Sequence, residues 1–367
     1  TSWGCVEGCL RAGRARGRAS CDIGHLSAPP GQQSAPRLST LDSAPPPRVT
    51  APVRAQSTLT LAGAYDAANR GPLAVAKQSA KVLILFSGPY ARPDGLAAFL
   101  TQRGLECLMI DNDAVSGGGA RDDLSSESVY VKLVKQAAAG EFLCILAAPP
   151  CSTFSVSRHF SAAGAADGGP PVVRTRQHPS GLPDADVPAE HRAELRSANL
   201  LVERTVGIIR AGAAVGSEFI VENPADRSEA SEPAIFLDAD HGALWRYPSI
   251  VALGKDYGGA SCTFAQCMLG GDSQKYTTLL YSAALSPSLG PIDQLRGLHR
   301  EHRRAAGGAK QADGSWSSWA SAAYPADMNL LLARSVAKLA RSDAAVAPAP
   351  TTEATAPAAR PRAEHGD

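Results

Sequence analysis

Two uninterrupted apolar runs constrain this chain more than anything else in it. Lys81-Val-Leu-Ile-Leu-Phe86 and Glu141-Phe-Leu-Cys-Ile-Leu-Ala147 have strand length, lack apolar/polar alternation, and are each followed by a Gly- or Pro-containing turn. A strand that is apolar at every position is buried on both faces, as in a parallel sheet covered by helices. The stretches between and after them keep a helical repeat. Helices are predicted over 95–103, 128–139, 190–211 and 328–339, and further strands over 105–110, 218–221 and 276–281. In the long helix, Leu195, Ala198, Val202, Thr205 or Val206, and Ile209 share one face. Strands alternating with helices predict an α/β fold, a doubly wound and mostly parallel sheet. Ligands bind such sheets beyond the carboxyl ends of the strands.

Composition sets the outer bounds. Hydrophobic residues make up 44 % and charged residues 19 % of 367 positions, enough for a substantial core. Lys+Arg total 36 against 35 acids, a net charge of +1, which excludes a polybasic protein held on nucleic acid by bulk charge but leaves room for a local basic cleft. No run approaches the 18 or so apolar residues of a membrane span. Eight cysteines do not make a disulfide scaffold, and Cys107, Cys144 and Cys151 in or beside apolar runs suit reduced thiols in an intracellular protein, with nucleus and organelle both open. Residues 1–78 are rich in Ala, Arg, Pro and Ser and read as a disordered linker or targeting segment. Residues 79–342 carry the periodic domain, and 343–367, with 13 Ala or Pro among 25, reads as a disordered tail. Oligomeric state is not legible.

The chemistry-bearing residues cluster where the predicted strands end. After the first strand comes Phe86-Ser-Gly-Pro-Tyr90, in which Gly88 permits a tight turn and close approach of a ligand; an ordinary βα loop fits as well. The second strand stops at Asp111-Asn-Asp113, and the 23-residue gap from Gly88 to Asp111 is near that of a βαβ nucleotide site, where such an acid accepts ribose hydroxyls. Asp122 and Asp123 precede the next helix and could reach an adenine amino group. The strand at 141–147 leads into Pro149-Pro-Cys-Ser-Thr-Phe-Ser155. Two prolines stiffen the exit, and Cys151 stands there as either a nucleophile or a buried spectator. The strand at 218–221 leads into Glu222-Asn-Pro224, whose acid suits proton donation at a dry pocket, or a loop cap.

Together these pieces resemble the cytosine-5 DNA methyltransferase family. Phe86-Ser-Gly88 resembles its S-adenosylmethionine loop, Asp111 or Asp113 its ribose acid, and Asp122 or Asp123 its adenine acid. Pro149-Pro-Cys-Ser-Thr-Phe-Ser155 resembles its Pro-Cys motif, and Glu222-Asn-Pro224 its Glu-Asn-Val motif. The resemblance implies a Rossmann-like methyltransferase fold, S-adenosyl-L-methionine as cofactor, no metal, and DNA with an extruded cytosine as substrate. It implies that Cys151 adds to carbon 6 of cytosine while Glu222 assists at ring nitrogen 3. Pro149 is grouped with the cofactor residues; Ser152, Ser155, Arg158, Arg174, Asn223, Lys275 and Thr277 with the substrate.

Departures from the family pattern keep other readings open. Pro89-Tyr90 stands where the family continues with glycine, Pro224 stands for Val, and no Gln-x-Arg-x-Arg element is recognisable near Gln266-Cys-Met-Leu-Gly270 and Lys275-Tyr-Thr-Thr278. The chain is similar in this to divergent members embedded in mobile-element or phage polyproteins. A non-catalytic, nucleic-acid-binding relic of the fold, an RNA methyltransferase, and an amino-group methyltransferase (Ala148-Pro-Pro-Cys151 being similar to the Asn-Pro-Pro-aromatic motif) remain alternatives. The loop from Ser157 to Glu190 holds Arg158, His159, Arg174, Arg176 and His178, and reads as a cover that contacts backbone phosphates or as a solvated insertion. Neither Cys5-x3-Cys9 nor Cys262-x4-Cys267 with His299-x2-His302 matches a zinc module. The basic run from Arg296 to Arg304 reads as a solvated face or phosphate contact, and Trp316 and Trp319 as core or as platforms for bases.

Overall fold

The computed structural model describes residues 80–159, 170–228, 238, 240–298, 300 and 323–346. The chain separates into two units at Leu73, and all described residues belong to the second, Ala74–Asp367. The expected segment 1–78 and most of the expected tail lie outside the described residues.

Six strands form one sheet. β1 (Lys81–Leu85), β2 (Glu106–Ile110), β3 (Cys144–Ala147), β4 (Glu218–Pro224), β5 (Ala260–Ala265) and β6 (Tyr276–Tyr281) lie in the order β2-β1-β3-β4-β6-β5. β1 pairs in parallel with β2 and β3, and β3 with β4; β6 runs antiparallel between β4 and β5. The fold is therefore the doubly wound, mostly parallel α/β sheet that the apolar runs predict.

Alternation along each strand sends side chains to two separate cores. Leu83, Leu85, Ile145, Phe219 and Val221 pack on one face against α2 (Glu127–Ala138), α3 (Ala189–Ala213) and α4 (Pro248–Asp256). Val82, Ile84, Cys144, Leu146 and Ile220 pack on the other against α1 (Leu96–Thr101), α5 (Ser286–Leu289) and α6 (Ala326–Val346). Both faces are dry, which is why these strands show no polar alternation. Each Leu or Ile so buried contributes about 1.5–3 kcal/mol. All the positions expected on the inner face of α3, including both Thr205 and Val206, are buried.

Several boundaries differ from the sequence expectation, most at β4, β3 and α6. β4 continues past Val221 to Pro224 because β6 supplies partners: Glu222 faces Leu279, Asn223 faces Thr278 and Pro224 faces Thr277. Glu222 and Asn223 are thus inside a strand and not in an exit turn. β3 starts only at Cys144. α6 runs on to Val346, four residues into the expected tail, carried by the face that buries Met328, Leu332 and Val336. α4, α5 and the edge strand β5 were not among the elements that the periodicity predicts.

The chain leaves β1 toward β2 on one side and returns to β3 on the other. The strand order reverses between β1 and β3, and a doubly wound sheet opens its binding crevice at the carboxyl ends flanking that reversal.

Candidate active site

On one side of the reversal, the exits of β1 and β2 are knitted together. Phe86 sits at φ 59, the sole non-glycine with positive φ among the described residues, a conformation costing about 1–3 kcal/mol. The amides of Phe86 and Ser87 both donate to the Ile110 carbonyl, at 2.8 and 3.3 Å. Gly88, at φ 65, donates its amide to Asp111 Oδ2 at 2.9 Å, and Asp113 donates its amide to Asp111 Oδ1 at 2.9 Å. Ser87 Oγ turns onto the Gly88 carbonyl. A Cβ on Gly88 would meet nothing within 4 Å, so its φ and not crowding demands glycine, and the turn faces open space. Each Asp111 oxygen accepts one amide and keeps a further lone pair.

The other three acids are more fully engaged. The Asp113 carboxylate holds its own turn, accepting from the Val115 amide at 3.0 Å and Ser116 Oγ at 2.7 Å. Asp122 lies 3.3 Å from the Tyr90 hydroxyl, which also donates to the Met109 carbonyl at 2.9 Å. Burial, with the Asp122 charge beside it, pushes the Tyr90 phenol up to about 12. Asp123 closes a turn onto Ser125. The Tyr90 ring lies on the Gly117–Gly118 turn, where a Cβ on Gly118 would fall 1.8 Å from the Asp111 carbonyl oxygen.

On the other side stand the exits of β3 and β4. The Pro149 carbonyl accepts Asn223 Nδ2 at 2.9 Å, so the segment before Cys151 is tied to β4 by a buried hydrogen bond. Asn223 is 1 % exposed, and its Oδ1 has no partner among the described residues. Through Nδ2, Asn223, expected among the substrate contacts, braces protein against protein. Burial pushes the Cys151 thiol up, the Lys275 ammonium opposes that shift and the Glu222 charge adds to it. The free protein accordingly holds Cys151 as a protonated thiol at neutral pH.

Glu222 continues the face of Ile220, toward α6, and is 6 % exposed. Its carboxylate is fully surrounded. Thr277 Oγ1 donates to Oε1 at 3.1 Å and is itself backed by Gln266 Nε2 at 2.9 Å. Lys275 Nζ lies 4.0 Å from Oε1, and the Tyr324 hydroxyl donates to Oε2 at 2.7 Å. Burial and the Glu222 charge raise the Tyr324 phenol well above its ordinary value, with a contribution from Cys151. Cys151, Glu222, Lys275 and Tyr324 thus form one electrostatic cluster assembled from β3, β4, β6 and the approach to α6. Tyr324 and Gln266 were not expected there. Tyr324-Pro325 just before a helix was the one local signal, and nothing in its spacing pointed to a residue 102 positions earlier.

The arginines expected to grip phosphates face inward. Arg158 is 7 % exposed, donating to the Ser152 and Pro171 carbonyls and pairing with Glu194. Arg174 is 1 % exposed, donating to Thr153 Oγ1, the Pro179 carbonyl and Asn199 Oδ1, with its guanidinium 3.8 Å from the Phe154 ring centroid. Burial lowers its pKa to about 10. Both staple the segment after Cys151 in this structure. Ser152 is exposed, Ser155 Oγ pairs with Ser157 Oγ at 2.8 Å, and Arg176 and His178 are exposed.

A second staple joins the segment after β3 to that after β4. His241 Nδ1 accepts the Arg227 amide at 3.0 Å, so its Nε2 donates to the Phe154 carbonyl at 2.8 Å. Asp226 accepts from Arg246 and from Ser228. Burial opposes its ionisation, but the neighbouring His241, Ser228 and Arg246 more than offset this and hold its carboxyl down to about 2.

Among the described residues no group of three or more His, Cys, Asp or Glu could hold a metal, and no helix is long and apolar enough to cross a membrane. Cys262 and Cys267 are buried free thiols, and Arg296 pairs with Asp293 at 2.7 Å. Cys5, Cys9, Cys21, His299, His302, Arg303, Arg304, Trp316 and Trp319 lie outside the described residues.

No known family profile matches the chain, and no curated protein sequence matches it. Solved structures do. A crystal structure of the Dnmt2 methyltransferase of S. pombe matches at 9 % identity and a TM-score of 0.31, over 55 % of this chain and 48 % of that one. A substituted DNMT2 of Spodoptera frugiperda matches at 13 % and 0.28, over 61 % and 54 %, and the methyltransferase EhMeth of Entamoeba histolytica at 11 % and 0.28, over 56 % and 53 %. The chain spans about half the length of each of these structures.

Proposed function

We propose that this chain is an S-adenosyl-L-methionine-dependent methyltransferase acting on carbon 5 of cytosine in DNA. The observation that carries the reading is the shared cluster of Cys151 and Glu222 at the carboxyl edge of the sheet, beside the reversal of strand order. The Phe86–Gly88 turn, open above Gly88, and the spare lone pairs of Asp111 suit a nucleoside-bearing cofactor. When bound, that group supplies an electrophilic methyl.

The chain's own residues account for the rest of the chemistry. Cytosine is a poor nucleophile at carbon 5. Addition of the Cys151 thiolate at carbon 6 makes an enamine-like adduct with electron density at carbon 5. Glu222, in its acid form, donates a hydrogen bond to ring nitrogen 3 and steadies the charge that develops there. Lys275 favours the thiolate, working against burial. Once carbon 5 has taken the methyl through that electron pair, a base removes the carbon-5 proton, its electrons re-form the carbon 5–carbon 6 double bond and expel the Cys151 thiolate, and the ring recovers its aromaticity. A cytosine in a duplex must leave the stack to reach the thiol.

The test is covalent trapping on 5-fluorocytosine DNA with the cofactor present, since fluorine blocks the last proton loss. The wild-type chain should give a denaturation-resistant adduct and Cys151→Ala none. Absence of any wild-type adduct across varied DNA overturns the reading. The same assay on 5-fluorocytosine RNA separates the two polymers.

A further inference from the structure

Tyr324 belongs to none of the motifs that carry the resemblance, yet it makes the shortest hydrogen bond to Glu222, 2.7 Å to Oε2. It sits two residues before α6, whose first turn is anchored elsewhere. Asn329, 2 % exposed, donates Nδ2 to the Asp94 carbonyl at 2.9 Å, at the end of the segment that follows β1. The same amide lies 3.5 Å from the Tyr324 carbonyl. One short stretch of chain therefore touches both the β1 exit and the carboxylate on β4.

We propose that Tyr324 is a positioning residue, holding Glu222 in the rotamer that meets the substrate ring and linking that rotamer to the segment after β1. The proposal rests on the methyltransferase reading above. Three features support it. Thr277 holds only Oε1, so without the phenol Oε2 loses its sole hydrogen-bond donor among the described residues. A glutamate has three side-chain torsions, and a donor on each oxygen fixes the last of them. The buried phenol keeps its proton, so Tyr324 acts as a fixed donor and not as an acid in the reaction. No bond to the substrate is assigned to it.

The experiment is a double-mutant cycle on single-turnover adduct formation with 5-fluorocytosine DNA at saturating cofactor. Tyr324→Phe keeps the ring and removes the donor. It should slow adduct formation by about ten- to hundredfold, the effect of losing a hydrogen bond to a charged group, with cofactor affinity within about twofold. In the Glu222→Gln background the same change should cost less than about twofold, because the residue acts through Glu222. If Glu222→Gln forms no measurable adduct, the cycle is read on iodoacetamide labelling of Cys151 in the free protein, where Tyr324→Phe should change the rate only while Glu222 is present. An adduct-forming wild type with Tyr324→Phe unaffected, or with equal losses in both backgrounds, overturns the proposal and leaves the methyltransferase reading standing. A wild type that forms no adduct removes both.

Discussion

At the scale of single residues, the state of Cys151 is set by three neighbours of unequal effect. Burial and Glu222 keep the thiol protonated, while Lys275 and, more weakly, a backbone hydrogen bond at Cys151 pull the other way. Alkylation of Cys151 should therefore rise about tenfold per pH unit from pH 6 upward, with no plateau below pH 9. Lys275→Met should slow alkylation several-fold at any fixed pH in that range, and Glu222→Gln should speed it; mass-spectrometric labelling of the Cys151 peptide measures both. A Lys275→Met chain that labels as fast as wild type would show that the ammonium does not act on the sulfur. Sequence alone pointed to Cys151 and Glu222 because proline and asparagine mark their strand exits. It could not point to Tyr324 or Gln266, whose chemistry depends on tertiary contacts that no local pattern encodes. The burial of Arg158 and Arg174 was likewise not legible. A cation in a glycine- and proline-rich loop looks solvated until backbone carbonyls and an aromatic ring are seen to enclose it.

At the scale of elements, the site depends on ties between strand exits. Asn223→Ala removes the bond to the Pro149 carbonyl and should cost about 1–3 kcal/mol in urea unfolding, since that carbonyl is left buried without its donor. Loss of the unpartnered Oδ1 offsets part of this, so the figure should fall in the lower half of the range. Gly118→Ala should be worse, because its Cβ would overlap the Asp111 carbonyl oxygen, at 1.8 Å, and the β2 exit would have to move. A loss of at least about 3 kcal/mol, with weakened S-adenosylmethionine binding by calorimetry, is the expected outcome. The strands themselves were legible as apolar runs. The extension of β4 through Glu222 was not, because its last three residues owe their conformation to β6, more than 50 positions away.

At the scale of the whole molecule, acid should loosen the link between the segments after β3 and β4. The Asp226 pKa is about 2 in the folded chain against an ordinary 3.8, so its contribution is complete above about pH 4 and is lost as pH falls toward 2. The shift corresponds to about 2–3 kcal/mol. Asp226→Asn should lower stability by that amount at pH 6 and make little difference at pH 2, as measured by denaturant midpoints. Equal losses at both pH values would assign the cost to packing instead. The antiparallel insertion of β6 has a consequence for biosynthesis as well. Until the ribosome has released Tyr276–Tyr281, β4 carries a raw edge and Glu222 lacks its strand partner. Nascent or truncated forms ending before that point would expose this edge and be prone to stick to one another.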